Sequence, residues 1–328
     1  MRLLFAFMVC LFHIVALAAL DVGGPWERGL GRIAELSIQG FFIISGALVL
    51  GSLERSSSLL HYGEKRGRRL YPAYFIIILI PALFALAVSG QVSAALQYIA
   101  ANLIFLNFLM PDLPGLFKGN EFTAVNGALW TLKIEVMFYI ALPVLLWMLK
   151  KAGQGKFLLL ILIYIAAEIW RIYFDSVDPR IARQLPGQMS FFAAGMGMWL
   201  LWAQAKTAPL WALLAGLALT LVSIFIPALE SLRALGLASL ISYIAFVPGP
   251  ALNAARYGDV SYGLYIIHFP IIQTLIALGV FAASPALGIG LSITLVISLS
   301  FVLWHFVEQP FLHKSSHYRR TQTQIKDT

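Results

Sequence analysis

Apolar runs long enough to cross a bilayer, about 17–25 residues each, recur along this chain from one end to the other. They lie at 3–20, 34–53, 70–88, 94–110, 129–149, 157–174, 188–205, 208–226, 232–249, 260–281 and 285–307. Only 12% of the residues are charged, against 60% hydrophobic, and soluble domains carry about twice that charged fraction. No polar stretch is long enough to fold into a soluble domain of its own. The expected fold is therefore all-α, a polytopic transmembrane helical bundle formed by one domain over 1–311, with a basic cytoplasmic tail over 312–328. The first segment has the basic residue and small residues of a signal peptide, but its long apolar stretch and the spans after it predict that it is retained. Cys10 is the single cysteine, which rules out a disulfide framework or a thiolate metal cluster.

The net charge of +8 needs no nucleic acid to explain it, because Lys and Arg collect in the cytoplasmic loops of membrane proteins. "ERSSSLLHYGEKRGRRLYP", "KKAGQGK" and the tail with Lys314, Arg319, Arg320 and Lys326 all read as cytoplasmic. The chain must then leave the cytoplasm and return between 70 and 149, although three apolar segments lie there. The weakest is 94–110, which carries Gln97, Asn102 and Asn107 and runs into a polar loop. It is expected to be re-entrant or interfacial and to border a cavity, since non-helical backbone cannot face lipid. About ten spans remain, placing both termini in the cytoplasm; the cytoplasmic (inner) membrane is the expected location.

Ionisable groups inside spans are rare and mark function. Arg2 and His13 lie eleven positions apart, which is about three helical turns and a rise of roughly 16 Å, so both project from one helix face. His268 in "SYGLYIIHFPII" and Ser45 in "GFFIISGALVL" lie at similar depths, with Tyr262 and Tyr265 nearer the cytoplasm. Glu135 and Tyr139 share a helix face at i, i+4. A carboxylate and two histidines in one apolar interior fit either a general-base assembly or the proton relay of a secondary transporter. A metal site is not expected, because these groups stand on separate helices without local ligand spacing. The His313/His317 pair lies in the polar tail and reads as solvated.

The motifs resemble those of the acyltransferase-3 family of membrane acyltransferases. Arg2 and His13 form an R-x10-H pattern, and "GFFIISG" is similar to the family's FF-x-x-SG segment. "KRGRRLYPAY" resembles its basic block, with Lys65, Arg66 and Arg69 at the basic positions and lysine standing where arginine is common. "LWTLKIEVMFYIALP", "SYGLYIIHFPII" and "EQPF" resemble the remaining landmarks, in order. The resemblance runs from Arg2 to about Phe311 and omits the extracytoplasmic esterase-like domain that some members carry, so transfer is expected to finish within the membrane domain.

The resemblance implies transfer of an acyl group, often acetyl, from acyl-CoA to a hydroxyl of a glycan or a secondary metabolite. A carbohydrate or lipid-linked carbohydrate is the expected acceptor, and the bilayer the expected surroundings. His13, Glu135 and His268 are the expected catalytic residues, with His13 as general base or transient acyl carrier. Arg2, Lys65, Arg66 and Arg69 are expected to hold the phosphates of coenzyme A, with Ser45 and Tyr262 completing the donor site. Ser45 and Gly46 are also expected to allow close backbone approach rather than to supply a nucleophile, since no nucleophile elbow is present. The secondary transporter stays open as the alternative, although no repeated half-sequence supports it.

Overall fold

The computed structural model describes residues 1–202, 209–246 and 258–313, and no strand occurs among them. The expected tail cations Lys314, Arg319, Arg320 and Lys326, together with His317, lie outside the described residues. Helices α1 (Arg2–Leu17), α2 (Pro25–Glu54), α3 (Leu59–Ser89) and α4 (Val92–Leu103) lead into an irregular stretch that ends near 126. Next come α5 (Trp130–Ala152), α6 (Lys156–Asp175), the single turn α7 (Pro179–Ala182), α8 (Leu185–Trp202), α9 (Leu210–Phe225) and α10 (Arg233–Phe246). The order closes with α11 (Ser261–Ala277), the turn α12 (Val280–Ala283) and α13 (Pro285–Leu303).

Five helical stretches are long and apolar enough to cross a membrane: Pro25–Glu54, Leu59–Ser89, Gly127–Asp175, Pro227–Ala245 and Pro285–Phe311. Shorter apolar helices lie at Arg2–Leu17, Val92–Leu103, Leu210–Phe225 and Ser261–Ala277. Local chemistry sets several boundaries. Asn126 accepts from Ala128 N at 3.2 Å before α5, and Ser284 caps α13 with Pro285 in its first turn, each occupying a backbone donor that the helix leaves open.

Two helices begin earlier than their apolar runs. α2 starts at Pro25 rather than near 34, and α3 at Leu59 rather than near 70. The basic stretch "HYGEKRGRRLYP" is therefore helix, not loop. Its Glu, Lys and Arg are good helix formers, and Arg68 pairs with Glu64 one turn back at 2.8 Å. Pro72 and Pro81 sit inside α3 without ending it.

The described residues fall into two compact units. One holds Met1–Ser37, Gly63–Lys133 and the described part of Leu252–Thr328; the other holds Ile38–Tyr62 and the described part of Ile134–Ala251. In the first, α11 packs against both α1 and α13. It is buried without a break from Ser261 to Phe269, as a helix enclosed on every side must be. In the second, α8 packs against α6 and α10, and α10 against α9. There α2 and α8 touch backbone to backbone: a Cβ at Gly46 would stand 2.3 Å from Phe192 O, and one at Gly195 2.0 Å from Ile43 O.

The segment expected not to cross contains only the 12-residue α4, which rises about 18 Å against roughly 30 Å of hydrocarbon. Side chains of the first unit satisfy the irregular backbone beyond it. Asn102 Nδ2 donates to Met110 O at 2.9 Å, while Tyr74 donates to Asn102 O at 2.7 Å and accepts from Asn107 at 2.9 Å. From α11, Gln273 Nε2 donates to Phe122 O and Ala124 O at 2.5 and 2.9 Å. Asn120 donates to the Gln273 carbonyls, and Asn126 to Ile266 O at 2.8 Å. Two of the polar residues that mark 94–110 as a poor span are thus the pegs that fasten it.

Candidate functional site

α1 and α11 run in step. Arg2 at the start of α1 bonds Asp259, which precedes the start of α11, and His13 eleven positions on bonds His268 nine positions on. The two helices therefore lie parallel and carry two polar clusters, separated along α1 by roughly 16 Å.

The inner cluster is a pair of imidazoles. His268 Nε2 and His13 Nδ1 are 2.9 Å apart, with ring centroids at 4.9 Å. His13 Nδ1 also lies 3.0 Å from Val9 O and His268 Nδ1 3.3 Å from Leu264 O, each a carbonyl one turn back on its own helix. Phe269 sets its edge against the His13 ring at 5.3 Å. His268 is 0% exposed, whereas His13 is only half-buried.

The outer cluster is an alternating set of charges. Asp259 Oδ2 accepts from Arg2 Nη1 at 3.1 Å and from Arg69 Nη2 at 2.7 Å, and Arg69 Nη1 donates to Glu308 Oε2 at 2.9 Å. Ser261 fixes the other Asp259 oxygen at 2.5 Å. The Arg69 guanidinium lies over Tyr262 and Trp304, 5.6 Å from each ring, and Tyr262 itself donates to Leu70 O at 3.0 Å. Trp304 and Glu308 stand at the two ends of a π-helical turn directly after α13. Such a turn inserts a residue and rotates the positions beyond it, and both side chains are buried.

Of the residues singled out from sequence, the structure brings Arg2, Arg69 and Tyr262 together in the outer cluster and His13 and His268 in the inner one. Lys65 and Arg66 lie half-buried on the turn of α3 before Arg69. Glu135 and Ser45 meet in the other unit: Ser45 Oγ and Tyr139 OH both donate to Glu135 Oε1, at 2.8 and 2.6 Å. Ser45 thus serves as a donor to a carboxylate beside the close crossing at Gly46.

Asp259 and Trp304 stand in none of the sequence motifs, and Glu308 stands only in the closing "EQPF". The available signal was an acid two positions before the "SYGLY" segment, which reads as a span boundary unless a buried partner is known. Among the described residues, no group of three or more His, Cys, Asp or Glu side chains could hold a metal ion.

A family model described as an acyltransferase domain, the acyltransferase-3 model, matches residues 1–305. The chain belongs to the acyltransferase-3 family. As a member it is an acyltransferase, and its apolar helices make it a multi-pass membrane protein. Nodulation protein 10 of Rhizobium leguminosarum bv. viciae is 27% identical over 326 residues, covering 88% of this chain and 85% of that protein. The O-acetyl transferase of Shigella phage Sf6 is 27% identical over 326 residues, covering 96% and 95%. Peptidoglycan O-acetyltransferase OatA of Listeria monocytogenes serovar 1/2a is 25% identical over 183 residues, covering 51% of this acyltransferase and 28% of OatA. No solved structure matches the chain.

Proposed function

We propose that this acyltransferase moves an acetyl group from cytoplasmic acetyl-CoA to a hydroxyl of a carbohydrate or lipid-linked carbohydrate at the cytoplasmic (inner) membrane. The names of the phage and Listeria relatives support acetyl as the group and oxygen as its destination. The observation that carries the reading is the pairing of the two clusters on parallel helices, a set of paired charges that includes Arg2 and an imidazole pair that includes His13. Coenzyme A has that shape: phosphates at one end, a thioester at the end of a flexible arm.

Arg2 is the partly exposed arginine of the outer cluster, its side chain 28% accessible. With Lys65 and Arg66 it is assigned to the phosphates, where charge-assisted hydrogen bonds are strongest. Arg69 and Tyr262 belong to the same donor site, and Arg69 acts there through Asp259, whose Oδ2 it shares with Arg2. The positive-inside distribution of Lys and Arg supports the cytoplasm as the side from which the donor arrives and both termini as cytoplasmic.

His13 takes the proton of the acceptor hydroxyl as that oxygen attacks the thioester carbonyl. The carbon–sulfur bond breaks, and the thiolate leaves with coenzyme A and receives the proton from the imidazolium. A general base of this kind contributes about 100- to 10,000-fold. Glu135 is assigned to the acceptor as a carboxylate whose Oε1 accepts from Ser45 and Tyr139.

The test is transfer from acetyl-labelled coenzyme A to a lipid-linked glycan supplied with the purified protein in lipid nanodiscs, read as label on the glycan with release of free thiol. His13→Ala should purify and bind coenzyme A normally yet lose at least 100-fold in rate. A His13→Ala protein with near-normal transfer would overturn the reading. In the same assay Glu135→Gln keeps an acceptor for both hydroxyls but no charge, so unchanged rates would remove Glu135 from the chemistry.

A further inference from the structure

The imidazole pair fixes where its protons sit. A carbonyl oxygen can only accept, so Val9 O, 3.0 Å away, requires an N–H at His13 Nδ1. Leu264 O, 3.3 Å away, requires one at His268 Nδ1. A neutral imidazole with its proton on Nδ1 carries a lone pair on Nε2. His268 Nε2 therefore accepts, and His13 Nδ1–H, shared with Val9 O, donates to it across 2.9 Å. This one assignment satisfies all three contacts. Reversing the bond between the rings would set the Nδ1 lone pair of His13 against the Val9 carbonyl, and a neutral His268 would then face Leu264 O with a lone pair as well.

We propose that His268 is a positioning residue: it holds His13 as the Nδ1–H tautomer and turns the His13 Nε2 lone pair toward the acceptor hydroxyl. The proposal rests on the reading of His13 as the group that takes the acceptor's proton. His13 Nε2 has no hydrogen-bond partner among the described residues, and His13 is the half-buried member of the pair. His268 is 0% exposed and closed in by Tyr265, whose ring centroid is 5.7 Å away, so a substrate has no approach to it. Its one nitrogen not committed to its own helix is spent on His13. When Nε2 takes up a proton, the positive charge spreads to Nδ1–H, where two acceptors already wait, and hydrogen bonds from a charged donor are the stronger kind. This is the orienting role that a second hydrogen-bonding group plays for catalytic imidazoles generally. Here a neutral histidine plays it inside an apolar unit, where a lone carboxylate would be costly to bury.

Two measurements decide it. The first is nitrogen NMR of ring-15N-histidine protein in nanodiscs, with His13 identified by the signals missing from His13→Ala. It should show a protonated Nδ1 and a bare Nε2 on His13, and a proton on Nε2 instead would overturn the proposal. The second is the rate of two variants. His268→Ala should lose at least 100-fold in kcat while the KM for acetyl-CoA holds. His268→Gln, whose amide oxygen accepts but cannot carry a proton in and out, should recover at least tenfold over His268→Ala. Equal inactivity of the two variants at unchanged coenzyme A affinity would make His268 an acid–base in its own right, and full activity of His268→Ala would make it packing; both overturn the proposal. If the wild-type protein transfers no acyl group at all, the functional reading fails, and the NMR result still decides the tautomer.

Discussion

Arg69 is the residue on which the outer cluster turns, because it bridges both carboxylates. Glu308 is 1% exposed and Arg69 is its only ion-pair partner among the described residues. Removing one member of a buried pair strands the other charge, at a cost of about 3–5 kcal/mol. Asp259 by contrast keeps Arg2 when Arg69 is lost, and Arg69 when Arg2 is lost. Arg69→Ala should therefore lower the thermal unfolding temperature markedly and weaken coenzyme A binding with it. Arg2→Ala should weaken binding with a much smaller change in unfolding temperature. Equal stability of the two variants in a thermal melt would show that Glu308 is not stranded. At this scale the sequence was legible where spacing carries geometry: eleven positions put Arg2 and His13 on one face, and the structure gives His13 a partner on α11 and Arg2 a partner just before its start. It was illegible where a partner comes from far along the chain. Asp259 and Arg69 are 190 positions apart, and the π turn that turns Glu308 inward leaves no mark in composition.

At the scale of the helix, apolar length reads out which segments are long enough to cross a bilayer but not where a helix begins. α2 and α3 extend into polar, charged sequence because backbone hydrogen bonds continue regardless of what the side chains meet. The places where helices touch are legible only through small residues. Gly46 and Gly195 lie on α2 and α8, where each would drive a Cβ into the other helix's carbonyl, and small residues are what allow membrane helices to approach closely. Gly46→Ala should thus force α2 and α8 apart, lowering the unfolding temperature and breaking the local register that brings Ser45 to Glu135. Gly29→Ala is the control: it lies in the same helix with nothing within 4 Å of the added carbon. It should be neutral or slightly stabilising, since alanine is favoured over glycine in helices by about 1 kcal/mol. If both variants melt alike, the close crossing carries no energy.

For the whole molecule, the remaining question is which side of the membrane each end of the helices faces. The basic stretch at the start of α3 predicts the cytoplasmic side for its neighbour Ser57, an exposed residue between α2 and α3. The irregular stretch after α4 is then expected on the outer side, where an acceptor would approach. Its pegs decide how to probe it. Asn120 is a poor reporter, because it donates to Gln273 and its loss would loosen the stretch. Lys118 is exposed and is the better site. Cys10 is the single cysteine and fully buried, so Cys10→Ala gives a silent background at the cost of a small internal void. In that background Lys118→Cys should react with a membrane-impermeant maleimide added to intact cells, and Ser57→Cys should react only after the membrane is opened. The reverse pattern would invert the molecule and put Arg2, Lys65 and Arg66 on the side without coenzyme A, which defeats the assignment of those cations to the donor. Protection of both sites in intact cells would place the stretch after α4 on the same side as the basic start of α3. The acceptor would then have to share the donor's side of the membrane.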